Sequence, residues 1–175
     1  MIKSHLSLPY ILTMPKYFPK VFLLALIGIS CNSCFMGKAV TKSKAKKEFT
    51  IEHYGIPPEF GHDKEIVLIG LIGFDKNYNK FMRKKFKKAY DAKYIILNED
   101  ELNSTAYADK NKYRYYFSYY VGTTVQSKIG YSYKKFYVYD RLKEKKYVTG
   151  AQFAFYAKAM EAYLENLNEL INTKP

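Results

Sequence analysis

EIVLIGLIGF, residues 65–74, is a continuous apolar run rich in β-branched side chains. Such a run is typical of a central strand that is buried on both faces of a sheet. AKYIIL, residues 92–97, predicts a second strand. Between them, residues 76–90 repeat apolar side chains at steps of three and four, which is typical of an amphipathic helix. A strand, a helix and a strand of this length predict a parallel pair with a right-handed crossover.

The following part of the chain predicts antiparallel strands. Residues 113–121 place an aromatic or apolar side chain at every second position, from Tyr113 to Val121, which predicts a strand with one apolar face. Residues 133–141 and 145–149 predict a hairpin that is again rich in tyrosine.

The C-terminal residues predict a helix that lies across the sheet. An apolar stripe runs from Phe153 to Ile171, and Thr149 with Gln152 has the pattern of a capping box at the start. Together the elements predict an α/β fold of one two-layer sandwich. Its mixed sheet begins with the strand-helix-strand unit, continues with antiparallel aromatic strands and is packed against the C-terminal helix.

Residues 14–34, MPKYFPKVFLLALIGISCNSC, have the layout of a secretory signal. Lys16 and Lys20 form a positive flank, and residues 21–30 carry no charge. These apolar residues cover only about half of a bilayer core about 30 Å thick, which favours cleavage over a permanent membrane span. Because the signal is complete from Met14, we interpret Met14 as the better candidate for the true start.

The residues IGIS immediately before Cys31 resemble the lipobox of bacterial lipoproteins. The resemblance implies cleavage before Cys31 and a lipid attached to its thiol. It covers only about the first 34 residues, and it implies a location in the bacterial cell envelope, anchored to a membrane and facing the periplasm. Cys34, the only other cysteine, is an alternative attachment point. An ordinary signal peptide and an uncleaved anchor are the alternatives to lipidation.

The chain therefore divides into three predicted regions, which are a signal peptide (1–30), a lipidated cysteine with a basic tether (31–47) and an α/β domain (48–175). The tether holds five lysines, no acidic residue and few large apolar side chains, so we expect no hydrophobic core in it. The remaining 128 residues have a normal size for one domain.

Positive charge is concentrated in the tether and in the predicted helix. The chain has a net charge of +13, and residues 76–88 alone carry seven basic and no acidic side chains. The helix predicts contact with an anionic surface, such as lipid head groups or acidic glycans, and a solvated helix face is the alternative. Export excludes nucleic acid as a partner. The candidate contact residues are Lys80, Arg83, Lys84, Lys87 and Lys88.

The chain has 19 tyrosines and no tryptophan. The alternation predicts that four tyrosines point outward from the sheet, where they stack on sugar rings or form a face for an envelope protein. Strand tyrosines half-covered by their neighbours, without any ligand, are the alternative. The four residues are Tyr116, Tyr120, Tyr137 and Tyr139.

The candidates for catalysis are few. His53, Glu59, His62 and Asp63 lie within eleven residues, which predicts, as an alternative function, a small metal-dependent or hydrolytic envelope enzyme. Glycines of 65–74 lack the third glycine of a dinucleotide motif, so no cofactor is expected. The favoured hypothesis is a lipid-anchored envelope protein with a non-catalytic binding module. Its expected partners are the membrane, through the lipid anchor, and an envelope protein or acidic glycan.

Overall fold

The computed structural model describes residues 36–126, 129–153 and 155–173. From Gly37 onward they belong to one compact unit. The predicted signal peptide (1–30), Cys31 and Cys34 lie outside the described residues. None of the helices among the described residues is long and apolar enough to cross a membrane.

The described part of the chain folds into a mixed sheet with helices packed on it. In chain order the elements are α1 (36–48), β1 (Leu68–Leu71), α2 (Lys76–Ala89), β2 (Tyr94–Leu97), α3 (Glu99–Leu102), a 3-10 turn (Thr105–Tyr107), β3 (Tyr115–Gln126), β4 (Ile129–Asp140), β5 (Lys145–Val148) and α4 (Tyr156–Thr173). The strand order is β2-β1-β3-β4-β5. The predicted α/β fold, with a mixed sheet and a C-terminal helix against it, is confirmed.

β1 is parallel to both of its neighbours. Gly70 is in register with Ile96 of β2 on one side and with Phe117 of β3 on the other. Because α2 connects β1 to β2, the predicted parallel strand-helix-strand unit is confirmed. The strand is shorter than the apolar run that predicted it. Beyond Leu71 the backbone of Gly73 bonds to the Asn79 side chain instead of to another strand. The Gly73 N–H donates to Asn79 Oδ1 at 3.2 Å, and Asn79 Nδ2 donates to the Gly73 carbonyl at 2.7 Å.

Helices α1, α2 and α4 cover one face of the sheet. Since side chains alternate along a strand, every second residue of β3 and β4 points into this core. Its largest members are aromatic. Phe49 stacks on Tyr163 with 4.1 Å between ring centroids, and Phe117 stacks on Phe136 with 5.6 Å. The buried Tyr163 hydroxyl donates a hydrogen bond to the carbonyl of Gly55. Phe117 of β3 also meets Tyr163 of α4 edge to face, with 5.2 Å between ring centroids, and this contact ties the helical layer to the middle of the sheet.

The opposite face of the sheet is covered only in part. Ile69 of β1, Leu97 of β2 and Leu102 of α3 form a second, smaller apolar cluster. Tyr107 and Tyr113, from the connection between α3 and β3, pack against this cluster. The connection therefore shields the β2–β1 side of the sheet. Tyr116 of β3 borders this cluster, and the other outward side chains of β3, β4 and β5 lie beyond it.

The predicted hairpin is confirmed as β4 and β5, with Asp140 in register with Lys145. The Asp140 carboxylate is fully buried and organises the turn. It accepts a hydrogen bond from the backbone of Leu142 at 3.0 Å and forms an ion pair with Arg114 at 2.7 Å. Burial opposes ionisation of Asp140, but the hydrogen bonds from Arg114 and from the turn backbone, together with the charge of Arg114, lower its pKa below the ordinary value.

The predicted start of the C-terminal helix is wrong. α4 begins at Tyr156, and the Thr149 hydroxyl accepts a hydrogen bond from the backbone of Ala151 at 3.3 Å in the preceding turn. Val148 is still paired with Tyr137 of β4, so the chain must cross from the sheet edge to the helical layer before a helix can begin. Five residues of the predicted apolar stripe are buried: Met160, Tyr163, Leu164, Leu167 and Ile171. Four others are half-buried: Phe153, Tyr156, Ala157 and Leu170.

The prediction of a basic tether differs from the structure over residues 37–47, which are helical and packed as part of α1. Thr41, Ala45 and Phe49 form a buried stripe at four-residue steps, and the small side chains of the first two allow α1 to lie close to α4. The Asn166 side chain of α4 donates to the carbonyl of Lys46 at 2.8 Å. Two of the five lysines, Lys42 and Lys46, have carboxylate partners on α4, more than a hundred residues away in the chain. Composition alone could not show these partners, so it indicated a solvated segment.

We predict that Gly61→Ala destabilises the fold. Gly61 has a φ of 85°, and an added Cβ would lie 2.7 Å from the carbonyl oxygen of Leu170 in α4. The expected loss is about 1–3 kcal/mol in the free energy of unfolding, measured by chemical denaturation. Gly150→Ala is the matched control, because a Cβ there meets nothing within 4 Å. Equal stability of the two variants would contradict the expected clash.

Candidate functional site

A crevice of about 510 Å³ lies at the carboxyl end of β1. The chain leaves β1 through α2 on one face of the sheet and returns from β2 to β3 through α3 on the other face. Ligands of open α/β sheets bind outside the carboxyl ends of the strands where connections diverge in this way. The crevice is lined by residues 71–75, by Glu99 and by the outward side chains of Tyr116, Ser118 and Tyr137.

Four tyrosines form a continuous surface beside the crevice, and we call Tyr116, Tyr120, Tyr137 and Tyr139 the tyrosine face. The register of β3 against β4 places Tyr116 opposite Tyr139, and their rings stack with 4.9 Å between centroids. The rings of Tyr116 and Tyr120 each contact the ring of Tyr137, with 6.1 Å and 6.3 Å between the ring centroids. The structure thus brings the four predicted residues together, but their exposure differs. Tyr120 is 36% exposed, whereas Tyr137 is 8% exposed.

The tyrosine face offers hydroxyl and ammonium groups. Burial raises the pKa of Tyr116 and of Tyr137 above the ordinary value for tyrosine, so both hydroxyls are protonated at neutral pH and can donate or accept hydrogen bonds. The Lys146 ammonium group lies 4.4 Å from the ring centroid of Tyr137 and 5.4 Å from that of Tyr120. Lys135 is directly opposite Tyr120 in register. Two positive charges therefore flank the most exposed ring.

Asp75 also lines the crevice, but both of its oxygens have structural partners. One accepts a hydrogen bond from the backbone of Tyr78 at 3.0 Å and caps the start of α2. The other forms an ion pair with Lys134 at 2.5 Å, and this hydrogen bond lowers the pKa of Asp75. Lys134 in turn lies over the ring of Tyr119, 5.0 Å from its centroid. Asp75 therefore joins α2 to β4.

The predicted basic residues of α2 do not act as one group. Lys88 forms an ion pair with Glu161 of α4 at 2.7 Å. The other four are exposed and form no ion pair within the described ranges; they are Lys80, Arg83, Lys84 and Lys87. The structure adds a lysine that the prediction omitted. Lys85 is buried on the inner edge of α2 and also contacts Glu161.

Glu161 is the centre of a group of lysines that we call the lysine cluster: Lys42, Lys85, Lys88 and Lys158. Their ammonium groups lie within 3.4 Å of its carboxylate, which is only 1% exposed. Burial by itself opposes ionisation of Glu161. Hydrogen bonds from Lys85 and Lys88 outweigh it and hold the pKa of the carboxyl group well below its usual range. The carboxylate is therefore ionised and joins three helices.

Sequence reasoning missed the lysine cluster, although two signals were present. Lys85 occupies a position of α2 that shares the inner stripe with Met82 and Ala89. Glu161 is an acidic residue among the apolar residues of α4, next to Met160. A charged residue at such a position has a buried partner as a rule. Identifying that partner required the packing of α2 against α4.

The structure does not gather the residues of the predicted enzyme site. His53 and His62 are exposed. Glu59 forms an ion pair with Lys143, which lowers the pKa of Glu59. The Asp63 carboxylate accepts a hydrogen bond from the backbone two residues further on, at 2.8 Å. Among the residues that the structure describes, no group of three or more His, Cys, Asp or Glu side chains could hold a metal ion.

Comparison of the chain with protein-family models, with curated proteins and with solved structures finds no match.

We predict that Glu161→Gln lowers the free energy of unfolding by about 3–5 kcal/mol at neutral pH, because it leaves the buried Lys85 without its carboxylate. Glu169→Gln is the control, because Glu169 is exposed and its one ion pair among the described residues is with Lys46. The expected loss for the control is below about 1 kcal/mol. Denaturant unfolding measures both variants, and a Glu161→Gln variant as stable as the control would contradict the role of this carboxylate.

The stability difference between wild type and Glu161→Gln should decrease in acid, because the folded state lowers the pKa of Glu161. The pKa of Glu161 is lower in the folded protein than in the unfolded chain. Its contribution to stability is therefore fully present above about pH 4.5, the ordinary value for glutamate, and is lost as the pH falls through the lower folded pKa. The difference between wild type and Glu161→Gln should thus be constant from pH 5 to pH 7 and shrink in stronger acid.

Proposed function

We propose that this chain is a bacterial envelope lipoprotein, anchored to a membrane through Cys31 and facing the periplasm. In this proposal the α/β domain is a non-catalytic module that binds an acidic glycan on the tyrosine face. One observation carries the proposal for the domain. Four tyrosines, flanked by Lys135 and Lys146, form one partly exposed sheet face beside the crevice at the carboxyl end of β1.

The chemistry of the tyrosine face favours a glycan over a protein partner. The centre of a protein interface is apolar and depleted in charge. The outward positions here carry tyrosine hydroxyls, Ser118 and two lysines. Aromatic rings stack on the apolar face of a sugar, and the hydroxyls exchange hydrogen bonds with its ring substituents. Lys135 and Lys146 attract a carboxylate or sulfate carried by the same polymer.

The anchor is supported by the amino-terminal pattern of charge, apolar residues and cysteine. A lipid on Cys31 would hold the domain at a membrane surface without a spanning helix. Export to the periplasm separates the basic surfaces from nucleic acid and leaves lipids, glycans and envelope proteins as the available anionic partners.

We predict that the protein extracted from membranes of its native host has an intact mass that begins at Cys31 and includes added acyl groups. Cys31→Ala should abolish this species, because the thiol is the attachment point. Cys34→Ala is the matched control and should keep it. An acylated species that persists in Cys31→Ala and disappears in Cys34→Ala would move the anchor to Cys34. An unmodified mass in the wild type would overturn the proposed lipid anchor.

We predict that the full chain binds polygalacturonate, a polymer of acidic sugars, more tightly than neutral dextran. Tyr120→Ala should weaken this binding about threefold to tenfold, since an aromatic contact contributes about 0.5–1.5 kcal/mol. Lys146→Gln should weaken binding to polygalacturonate and leave dextran binding unchanged. Calorimetric titration measures each affinity.

Tyr54→Ala is the control for this experiment, because Tyr54 is 71% exposed in a loop outside the tyrosine face. It should bind as the wild type does. Equal weakening in Tyr54→Ala and Tyr120→Ala, or no measurable binding of polygalacturonate by the wild type, would contradict the proposed glycan site.

A further inference from the structure

A second cavity, of about 370 Å³, lies where α1, α2 and the start of α4 meet. We call it the lysine groove. It belongs to the helical layer, whereas the tyrosine face lies on the opposite face of the sheet. The lysine groove is lined by three lysines and three aromatic rings: Lys38, Lys85, Lys158, Phe81, Phe155 and Tyr156.

The lysine groove and its surroundings carry more positive charge than their carboxylates neutralise. The lysine cluster shares the single carboxylate of Glu161. Lys42 and Lys46 share Glu165, and Lys46 also pairs with Glu169. Lys38 forms no ion pair within the part of the chain that the structure describes. Neighbouring ammonium groups in excess of their carboxylates repel one another, and an anion that enters between them relieves this repulsion. The lysine groove therefore favours a negatively charged ligand.

The other wall of the lysine groove is aromatic. Phe81 and Tyr156 meet edge to face, with 5.5 Å between ring centroids. Gly37 lets α1 approach Phe155, because a Cβ at this glycine would lie 3.0 Å from the ring. A small inorganic anion would use only the ammonium groups. A phospholipid presents a phosphate group next to hydrocarbon and would use both walls.

The rim of the lysine groove is close in the chain to the proposed anchor. Lys38 follows Cys31 by seven residues, which span at most about 25 Å when fully extended. With Cys31 acylated, the groove cannot move far from the lipid head groups. This step rests on the proposed function, because it needs the anchor.

We propose that the lysine groove binds the phosphate group of an anionic phospholipid in the membrane that holds Cys31. The ammonium groups of Lys38, Lys85 and Lys158 contact the phosphate, and the aromatic wall contacts the adjoining hydrocarbon. This binding docks the helical layer on the membrane surface and leaves the tyrosine face free for its own ligand.

The test uses the full chain with Cys31→Ala, so that no acyl group contributes. Binding is measured by co-sedimentation with phosphatidylcholine vesicles, with and without phosphatidylglycerol. Combining Lys38→Gln with Lys158→Gln should weaken binding to the phosphatidylglycerol vesicles about tenfold to thirtyfold, since each lysine at an anionic surface contributes about 1 kcal/mol. Lys85 and Lys88 still hold Glu161 in this variant, so the helices keep their ion pairs.

The matched control combines Arg83→Gln with Lys87→Gln. It removes the same charge from the exposed face of α2, away from the lysine groove. It should change the affinity by less than about twofold. Equal weakening in both double variants would assign the binding to the outer face of α2 and overturn the proposal. Equal binding of the Cys31→Ala parent to vesicles with and without phosphatidylglycerol would also overturn the proposal.

Free phosphate is separated from lipid by competition. Replacing chloride with inorganic phosphate at matched ionic strength should leave vesicle binding nearly unchanged, because inorganic phosphate cannot use the aromatic wall. Complete displacement by millimolar inorganic phosphate would assign the lysine groove to a free anion and overturn the lipid assignment. The vesicle assays test lipid binding by the lysine groove, and the intact mass tests acylation of Cys31. The two proposals can therefore be refuted separately.

Discussion

The ionised carboxylate of Glu161 is the interaction on which the helical layer depends. A buried carboxylate costs several kcal/mol unless hydrogen-bond donors surround it, and here the donors are four lysines. Because Lys42 belongs to α1 and Lys85 to α2, one group on α4 sets how three helices lie against each other. The same constraint leaves an excess of positive charge beside it, since no second carboxylate in the described part of the chain is buried next to Glu161. Stability and the proposed anion site thus share one physical origin.

The sheet separates the two proposed binding surfaces. β1 pairs in parallel on both sides, which requires a connection on each face. α2 is long enough to cover its face together with α1 and α4, whereas α3 is one short turn and covers only the β2–β1 side. The tyrosines of β3 and β4 therefore lie on a face that no helix of the described chain covers. In the proposed function, a membrane on one layer and a glycan on the other do not compete for space.

Local patterns predicted most of the sheet and part of the candidate sites. The apolar runs predicted β1 and β2, and the alternation of tyrosines predicted which rings share the outward face of β3 and β4. Two errors have the same cause. Residues 37–47 were predicted as a solvated tether because the carboxylate partners of Lys42 and Lys46 are on α4. The start of α4 was placed too early because the path from β5 to the helical layer is not a local property. The crevice was not predicted either, because it depends on the strand order.

Periodicity and composition alone determine the fold class, the parallel unit around residues 68–97 and the concentration of charge in two segments. These properties were predicted from side-chain spacing and backbone geometry within each segment, which do not depend on the packing of distant segments. Which charges are neutralised depends instead on residues far apart in the chain. Lys85 and Lys84 are adjacent and identical in type, yet one is buried against Glu161 and the other is exposed. Only the packing of α2 on α4 distinguishes them, because a helix rotates each successive side chain to a different environment.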